Sequence, residues 1–217
     1  MIMVRNSVKR ILDVIFSVVV LVMLSPLLLV LSVAVLIIHG PPIIFKQVRP
    51  GLHGKPFTIY KFRTMKNLYG PTGSLLPNED RLTRFGKWLR ATSLDELPEF
   101  VNVLIGDMSV VGPRPLRLQY MDRYTPEQAR RHEVRPGITG WAQVNGRNAL
   151  TWEEKFVLDV WYVDNWNLLL DFKILFMTIA AVIKRDGINA EGHVTMPEFM
   201  GSLSEPQNCQ VDNVADK

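Results

Sequence analysis

The sequence predicts an α+β chain, mostly helical, with an N-terminal helix-break-helix element that enters a membrane and returns, followed by one small globular domain. Three observations carry this. Residues 14–38 are 25 consecutive uncharged, mostly apolar residues broken in the middle by Ser25-Pro26. Apolar residues recur at helical spacing over 81–89, 96–105 and 152–162, with a longer apolar stretch over 168–183. Two runs rich in β-branched and aromatic residues, 43–48 and 57–62, flank the turn formers Pro50-Gly51 and His53-Gly54 and read as a short β-hairpin. The expected organisation is a membrane hairpin over 1–40, one domain over 41–201 and a polar, disordered tail over 202–217.

A straight helix over 14–38 would rise roughly 37 Å, enough to cross a hydrocarbon core of about 30 Å. Pro26 breaks it, because the ring removes a backbone donor and clashes with the preceding turn, while Ser25 offers its hydroxyl to the freed carbonyl. Each half then spans only about 18 Å. Arg5, Lys9 and Arg10 precede the segment and Lys46, Arg49, Lys55, Lys61 and Arg63 follow it, so both flanks read as cytoplasmic. A re-entrant hairpin satisfies length, break and charge together; a kinked spanning helix is the alternative.

Residues 67–80 read as an exposed loop. Ser93 and Glu96 have capping-box spacing at the start of the 96–105 helix, with Asp95 a rival cap. Thr125 caps a short helix over 126–132, and Thr151 caps 152–162. The stretch 168–183, interrupted by Asp171 and Lys173, is a core helix or an interfacial amphipathic one. Lys184, Arg185 and Gly187 suit its C-terminal end.

A net charge of +4 suits an anionic partner but does not choose among nucleic acid, lipid headgroups and phosphorylated substrates. The single cysteine, Cys209, excludes an internal disulfide. Walker-type, GxGxxG, HExxH and paired-cysteine signatures are absent, and His39, His53, His132 and His193 are scattered as surface or structural residues.

The chemistry concentrates in 90–148. Asp95 and Glu96 are adjacent carboxylates whose side chains diverge by about 100° on a helix, so they cannot share one proton as a facing pair. Either they cap a helix or they hold two different roles. Arg114 stands between Pro113 and Pro115, which fix the backbone that presents its guanidinium; a phosphate or a neighbouring carboxylate is its natural client. Arg135-Pro136-Gly137-Ile138-Thr139-Gly140-Trp141 and Val144-Asn145-Gly146-Arg147-Asn148 add two glycine turns carrying arginine, and together the turns point to a polyanion site.

The membrane segment with Ser25-Pro26, then Lys61-Phe62-Arg63-Thr64-Met65, Ser93-Leu94-Asp95-Glu96-Leu97, Gly106-Asp107-Met108-Ser109, Val111-Gly112-Pro113-Arg114-Pro115 and the 135–141 motif resemble the bacterial sugar transferases. These are small monotopic phosphoglycosyl transferases that initiate exopolysaccharide and glycan assembly. The resemblance runs from Val8 to about Phe199 in the family's order. It implies transfer of a phosphosugar from a UDP-sugar to polyprenol (undecaprenyl) phosphate, with UMP released, at the cytoplasmic face of the bacterial inner membrane.

It further implies Asp95 as the nucleophile, a Mg2+ cofactor held by Asp95 and Glu96, and ping-pong transfer through an aspartyl phosphosugar. Glu96 binds the metal or assists the aspartate, Arg114 binds phosphate, and Lys61, Arg90 and Arg147 contact the donor. Asp107 helps the metal or forms a salt bridge. The partners so implied are the UDP-sugar, polyprenol phosphate, the lipid bilayer and downstream glycosyl transferases, without nucleic acid; an N-acetylated or diacetamido sugar, or a hexose, is the group moved. A non-catalytic basic adaptor for nucleic acid or anionic lipid and an ordinary glycosyl transferase that leaves UDP are the rival readings.

Overall fold

A computed structural model describes residues 2–146, 149–184 and 198–201. Over these residues the fold is α+β and mostly helical, with two small two-stranded sheets. Helix α1 (Ile2–Met23) and helix α2 (Ser25–His39) meet at the predicted break. Pro26 cannot donate to Val22, and the Ser25 hydroxyl takes that carbonyl instead at 2.8 Å. No single described helix is long and apolar enough to cross a membrane; the pair, bent by 65°, has the length and composition of a broken span or a re-entrant loop.

Polar anchors tie this element to the rest of the chain. Arg10 donates to the carbonyls of Val103 and Leu104 at 2.5 and 2.8 Å, closing the C-terminal end of helix α5 (Glu99–Ile105) with a cation. Asp13, buried, accepts from the backbone N–H of Val110. Lys9 pairs with Asp171 at 2.5 Å. At the far end of α2, Arg63 donates to the carbonyls of His39, Gly40 and Pro41, and Leu31 and Val35 pack with Phe62 and Leu89.

The hairpin of β1 (Ile44–Pro50) and β2 (Pro56–Phe62) is antiparallel, with Ile44 opposite Phe62 and Pro50 opposite Pro56. The 67–80 loop contains more order than its composition suggests: Tyr69 bridges Leu75, and helix α3 (Asn78–Arg81) follows. Helix α4 (Arg84–Ala91) starts after Thr83, whose side chain accepts from Gly86, rather than at Arg81.

Strand β3 (Ser109–Val111) pairs in parallel with β4 (Gly137–Thr139). This brings two motifs some 25 residues apart in sequence into one sheet. Gly112 is required at the junction, because a Cβ there would lie 2.3 Å from the Arg135 carbonyl oxygen. Helices α6 (Pro126–Ala129) and α7 (Trp141–Val144) are single turns. Thr125 and Thr151 cap the starts of α6 and of α8 (Trp152–Asn165) as expected, and the structure adds Gln128 and Glu154 as their reciprocal partners, which completes a capping box at each.

Helix α9 (Leu168–Lys184) is two-sided. Leu170 and Ile174 enter the main core with Ile59, Val103, Met108 and Tyr162, while Leu169, Phe172 and Phe176 are exposed. Asp171, which breaks the apolar run in sequence, is buried and accepts from the Tyr162 hydroxyl and the Trp166 indole. Arg185, Gly187 and the 202–217 tail lie outside the described residues.

Candidate active site

The acidic pair sits in a 3-10 turn, Leu94–Glu96, ahead of α5. The capping box expected from Ser93 and Glu96 does not form. Ser93 adopts a left-handed conformation (φ 56°) and its side chain makes no cap bond, so the turn aims Asp95 and Glu96 into the fold. Their roles diverge, as their adjacency requires.

Glu96 faces two cations. Lys61, near the end of β2, lies 2.7 Å from its Oε1, and Arg114, from the loop after β3, bonds both of its oxygens. Burial raises its pKa, but the charges of Arg114 and Lys61 and their hydrogen bonds outweigh this and hold the carboxylate well below its usual range. The Glu96 charge in turn raises Arg114.

Asp95 is 8 % exposed and accepts no hydrogen bond from a described residue. Burial, then the neighbouring Glu96 charge, pushes it up to about 6, against the pull of Lys61, Arg90 and Arg114. Arg90 stands on the Asp95 side and is held by Thr64, whose hydroxyl oxygen accepts from its Nε at 3.0 Å.

Glu99, the first residue of α5, is a third acid that sequence reasoning missed. It is fully buried, and burial raises it to about 7 despite Lys61 at 2.9 Å. Its Oε1 lies within ion-pair distance of Lys61 but outside hydrogen-bond geometry.

Lys61, Asp95, Glu96 and Arg114 are therefore brought together, with Arg90 at one side; Arg147 lies outside the described residues. Asp107 makes no ion pair with a described residue and stays apart from this network. Two further positioning groups carried no local sequence signal. Asn102, buried, accepts from Tyr60 N–H at 3.0 Å and donates to the Thr58 carbonyl at 2.7 Å, joining α5 to β2. Arg131 pairs with Asp159 at 2.6 Å and donates to the Arg114 carbonyl at 2.7 Å.

Among the described residues no three His, Cys, Asp or Glu side chains converge to hold a metal ion. Mg2+ does not need such a cage, since it is usually held by one or two carboxylates together with substrate phosphates and water. Asp95, without a hydrogen bond, fits that donor set. Glu96, with both oxygens on cations, could join only by giving up its ion pairs.

An underpaired acid ringed by lysine and arginine, on a small α+β unit led by a bent apolar helix pair, defines a transferase site suited to anionic substrates. The chain belongs to the bacterial sugar transferase family, whose sequence pattern matches residues 4–185. It is 55 % identical over 194 residues to the uncharacterized sugar transferase EpsL of Bacillus subtilis, covering 89 % of this chain and 96 % of that one. It is 43 % identical over 181 residues to the UDP-glucose:undecaprenyl-phosphate glucose-1-phosphate transferase of Klebsiella pneumoniae, covering 79 % of this chain and 39 % of that one. The undecaprenyl-phosphate galactose phosphotransferase of Salmonella typhimurium is 40 % identical over 196 residues, covering 82 % and 41 %. The chain thus spans about two fifths of these last two relatives.

Proposed function

We propose that this protein transfers a sugar phosphate from a UDP-sugar to polyprenol phosphate, through a covalent intermediate on Asp95. The observation that carries the reading is the division of labour in the 94–96 turn: Glu96 is neutralised by Lys61 and Arg114, while Asp95 is left without a hydrogen bond beside the same cations. Sugar phosphates and undecaprenyl phosphate are named for the relatives in Klebsiella and Salmonella, which supports the substrate class.

In the first step an Asp95 carboxylate oxygen attacks the β-phosphorus; the bond to the bridging oxygen breaks and UMP leaves with the electron pair. In the second, an oxygen of polyprenol phosphate attacks the same phosphorus and Asp95 departs, leaving polyprenol diphosphosugar. Attack by an anion on an anion needs cations aimed at the developing charge, and Arg114 and Lys61 are held in place for this by Glu96. A raised pKa makes Asp95 a stronger nucleophile at a modest loss of ionised fraction near neutrality. Mg2+ bound at Asp95 would supply further charge neutralisation on the diphosphate.

In this reading 1–40 is a re-entrant element of the inner membrane, 41–201 the catalytic domain at its cytoplasmic face, and downstream glycosyl transferases receive the product. In a Cys209→Ser background, a cysteine placed just past residue 38 should resist an impermeant reagent added outside the cell. Labelling there would reverse the topology.

The direct test incubates purified protein with Mg2+, polyprenol phosphate and a panel of UDP-sugars, UDP-glucose and UDP-galactose first, then N-acetylated and diacetamido sugars. UMP release is expected with at least one donor. Release of UDP instead points to ordinary glycosyl transfer, and binding of DNA without turnover to the adaptor reading.

A further inference from the structure

The β1–β2 register places Arg49 opposite Phe57, Gln47 opposite Ile59 and Phe45 opposite Lys61. Opposed residues share a face, as do residues two apart, so Arg49, Gln47 and Lys61 belong to one face of the hairpin. Along it Arg49 stands on the order of 13 Å from Lys61. Strand β1 packs against the 3-10 turn Leu118–Arg123, which follows directly on the loop bearing Arg114 and Arg117.

This packing sets Arg49 on a strand against the turn that follows Arg114 and Arg117, close enough for their charges to act on it, and the compensation of the three is uneven. Arg114 is paired with Glu96, and Arg117 lies 3.7 Å from Glu198. Arg49 is half-buried, donates one N–H to the neutral Gln47 side chain at 2.7 Å and forms no ion pair with a described residue. Most of its five N–H donors have no hydrogen-bond partner among the described residues. Burial and the like charges of Arg114 and Arg117 lower it to about 10, which marks a place where an incoming anion relieves repulsion.

Arg114 lies within electrostatic reach of both Asp95 and Arg49. In an in-line displacement the leaving oxygen departs opposite the attacking one. A diphosphate whose reacting phosphorus faces Asp95 therefore extends its other phosphate past Arg114, away from the nucleophile. We propose that Arg49, flanked by Arg114 and Arg117, is a second phosphate subsite that binds the departing, nucleotide-side phosphate. The assignment of that phosphate to UMP rests on the proposed function; the anion site itself does not.

The test titrates the full-length protein in detergent with UMP, and separately with inorganic phosphate, for wild type, Arg49→Gln, Arg49→Lys and Asp95→Asn. Arg49→Gln should weaken UMP binding about tenfold or more, the size of a lost charge-assisted bond, with Arg49→Lys intermediate and Asp95→Asn near wild type. In turnover, the KM for the UDP-sugar should rise in step while that for polyprenol phosphate stays constant. Unchanged UMP and phosphate affinity in both Arg49 variants overturns the subsite, as does a change confined to the lipid acceptor. If wild type releases no UMP, yet phosphate binding still falls in Arg49→Gln, the function is wrong and the anion site stands. Should Arg49→Gln not fold, the Arg49→Lys comparison alone decides, with no loss of affinity counting against the proposal.

Discussion

Two arginine–carboxylate pairs lie one backbone carbonyl apart, and their surroundings differ. Arg131 and Asp159 are sealed, with side chains 2 % and 5 % exposed and 2.6 Å apart. Tyr124 and Phe156 lie against that guanidinium, and Phe199 packs on both rings. Arg114 and Glu96 are looser, at 41 % and 16 %, and Glu96 is shared with Lys61 while Asp95 and Glu99 crowd the same cations. A closed pair holds shape; a shared, partly open cluster, in which one carboxylate takes two cations and its neighbour accepts no hydrogen bond from a described residue, is suited to engaging a ligand. The Arg131 bond to the Arg114 carbonyl lets the first pair serve the second.

The sharpest way to break this contrast is Asp95→Asn. Removing the proposed nucleophile should lower UMP release by about a thousandfold or more while thermal unfolding stays near wild type. Substantial residual turnover would remove Asp95 from the reaction.

Next in size, Arg131→Met should cost about 3–5 kcal/mol of stability by stranding the buried Asp159 charge, and the double change Arg131→Met with Asp159→Leu should recover most of it. Thermal denaturation in detergent reads both. Equal losses in the single and double variants would mean the pair is not the sealed structural unit described.

A smaller effect is expected from Arg114→Lys. The charge persists but the two-point grip on Glu96 is lost, and kcat/KM should fall about 10- to 100-fold with little change in melting temperature. A stability loss matching that of Arg131→Met would erase the distinction between the two sites.

The smallest is a shift in pH dependence. In the proposed mechanism the attacking species is the Asp95 carboxylate, so kcat/KM should decline as pH falls through about 6. Glu96→Gln removes a neighbouring negative charge and frees Lys61 and Arg114 to act on Asp95, so the acidic limb should move to lower pH, beneath an overall reduced rate. Movement to higher pH would contradict the stated cause of the shift.

Local signals carried much of this molecule in the sequence. Ser25-Pro26 marked the break, Pro50-Gly51 marked the hairpin, and Thr125 and Thr151 marked their helix starts, because each acts within four residues of itself. The same logic misled at Ser93, where a favourable cap spacing was overridden by a left-handed residue that turns the acids inward. What stayed hidden depends on partners far away in the chain: Arg131 with Asp159, Asn102 with Thr58 and Tyr60, Arg63 with the end of α2. Nothing local in the sequence singles out Glu99; its burial beside Lys61 does.

Asn102 has a mechanical consequence. Its amide grips the strand on either side of Ile59, two positions before Lys61, while its own carbonyl accepts from the backbone N–H groups of Gly106, Asp107 and Met108. The lysine ammonium and the acids of the 95–99 stretch consequently share one chassis: flexing the hairpin tip carries Lys61 only as far as α5 follows.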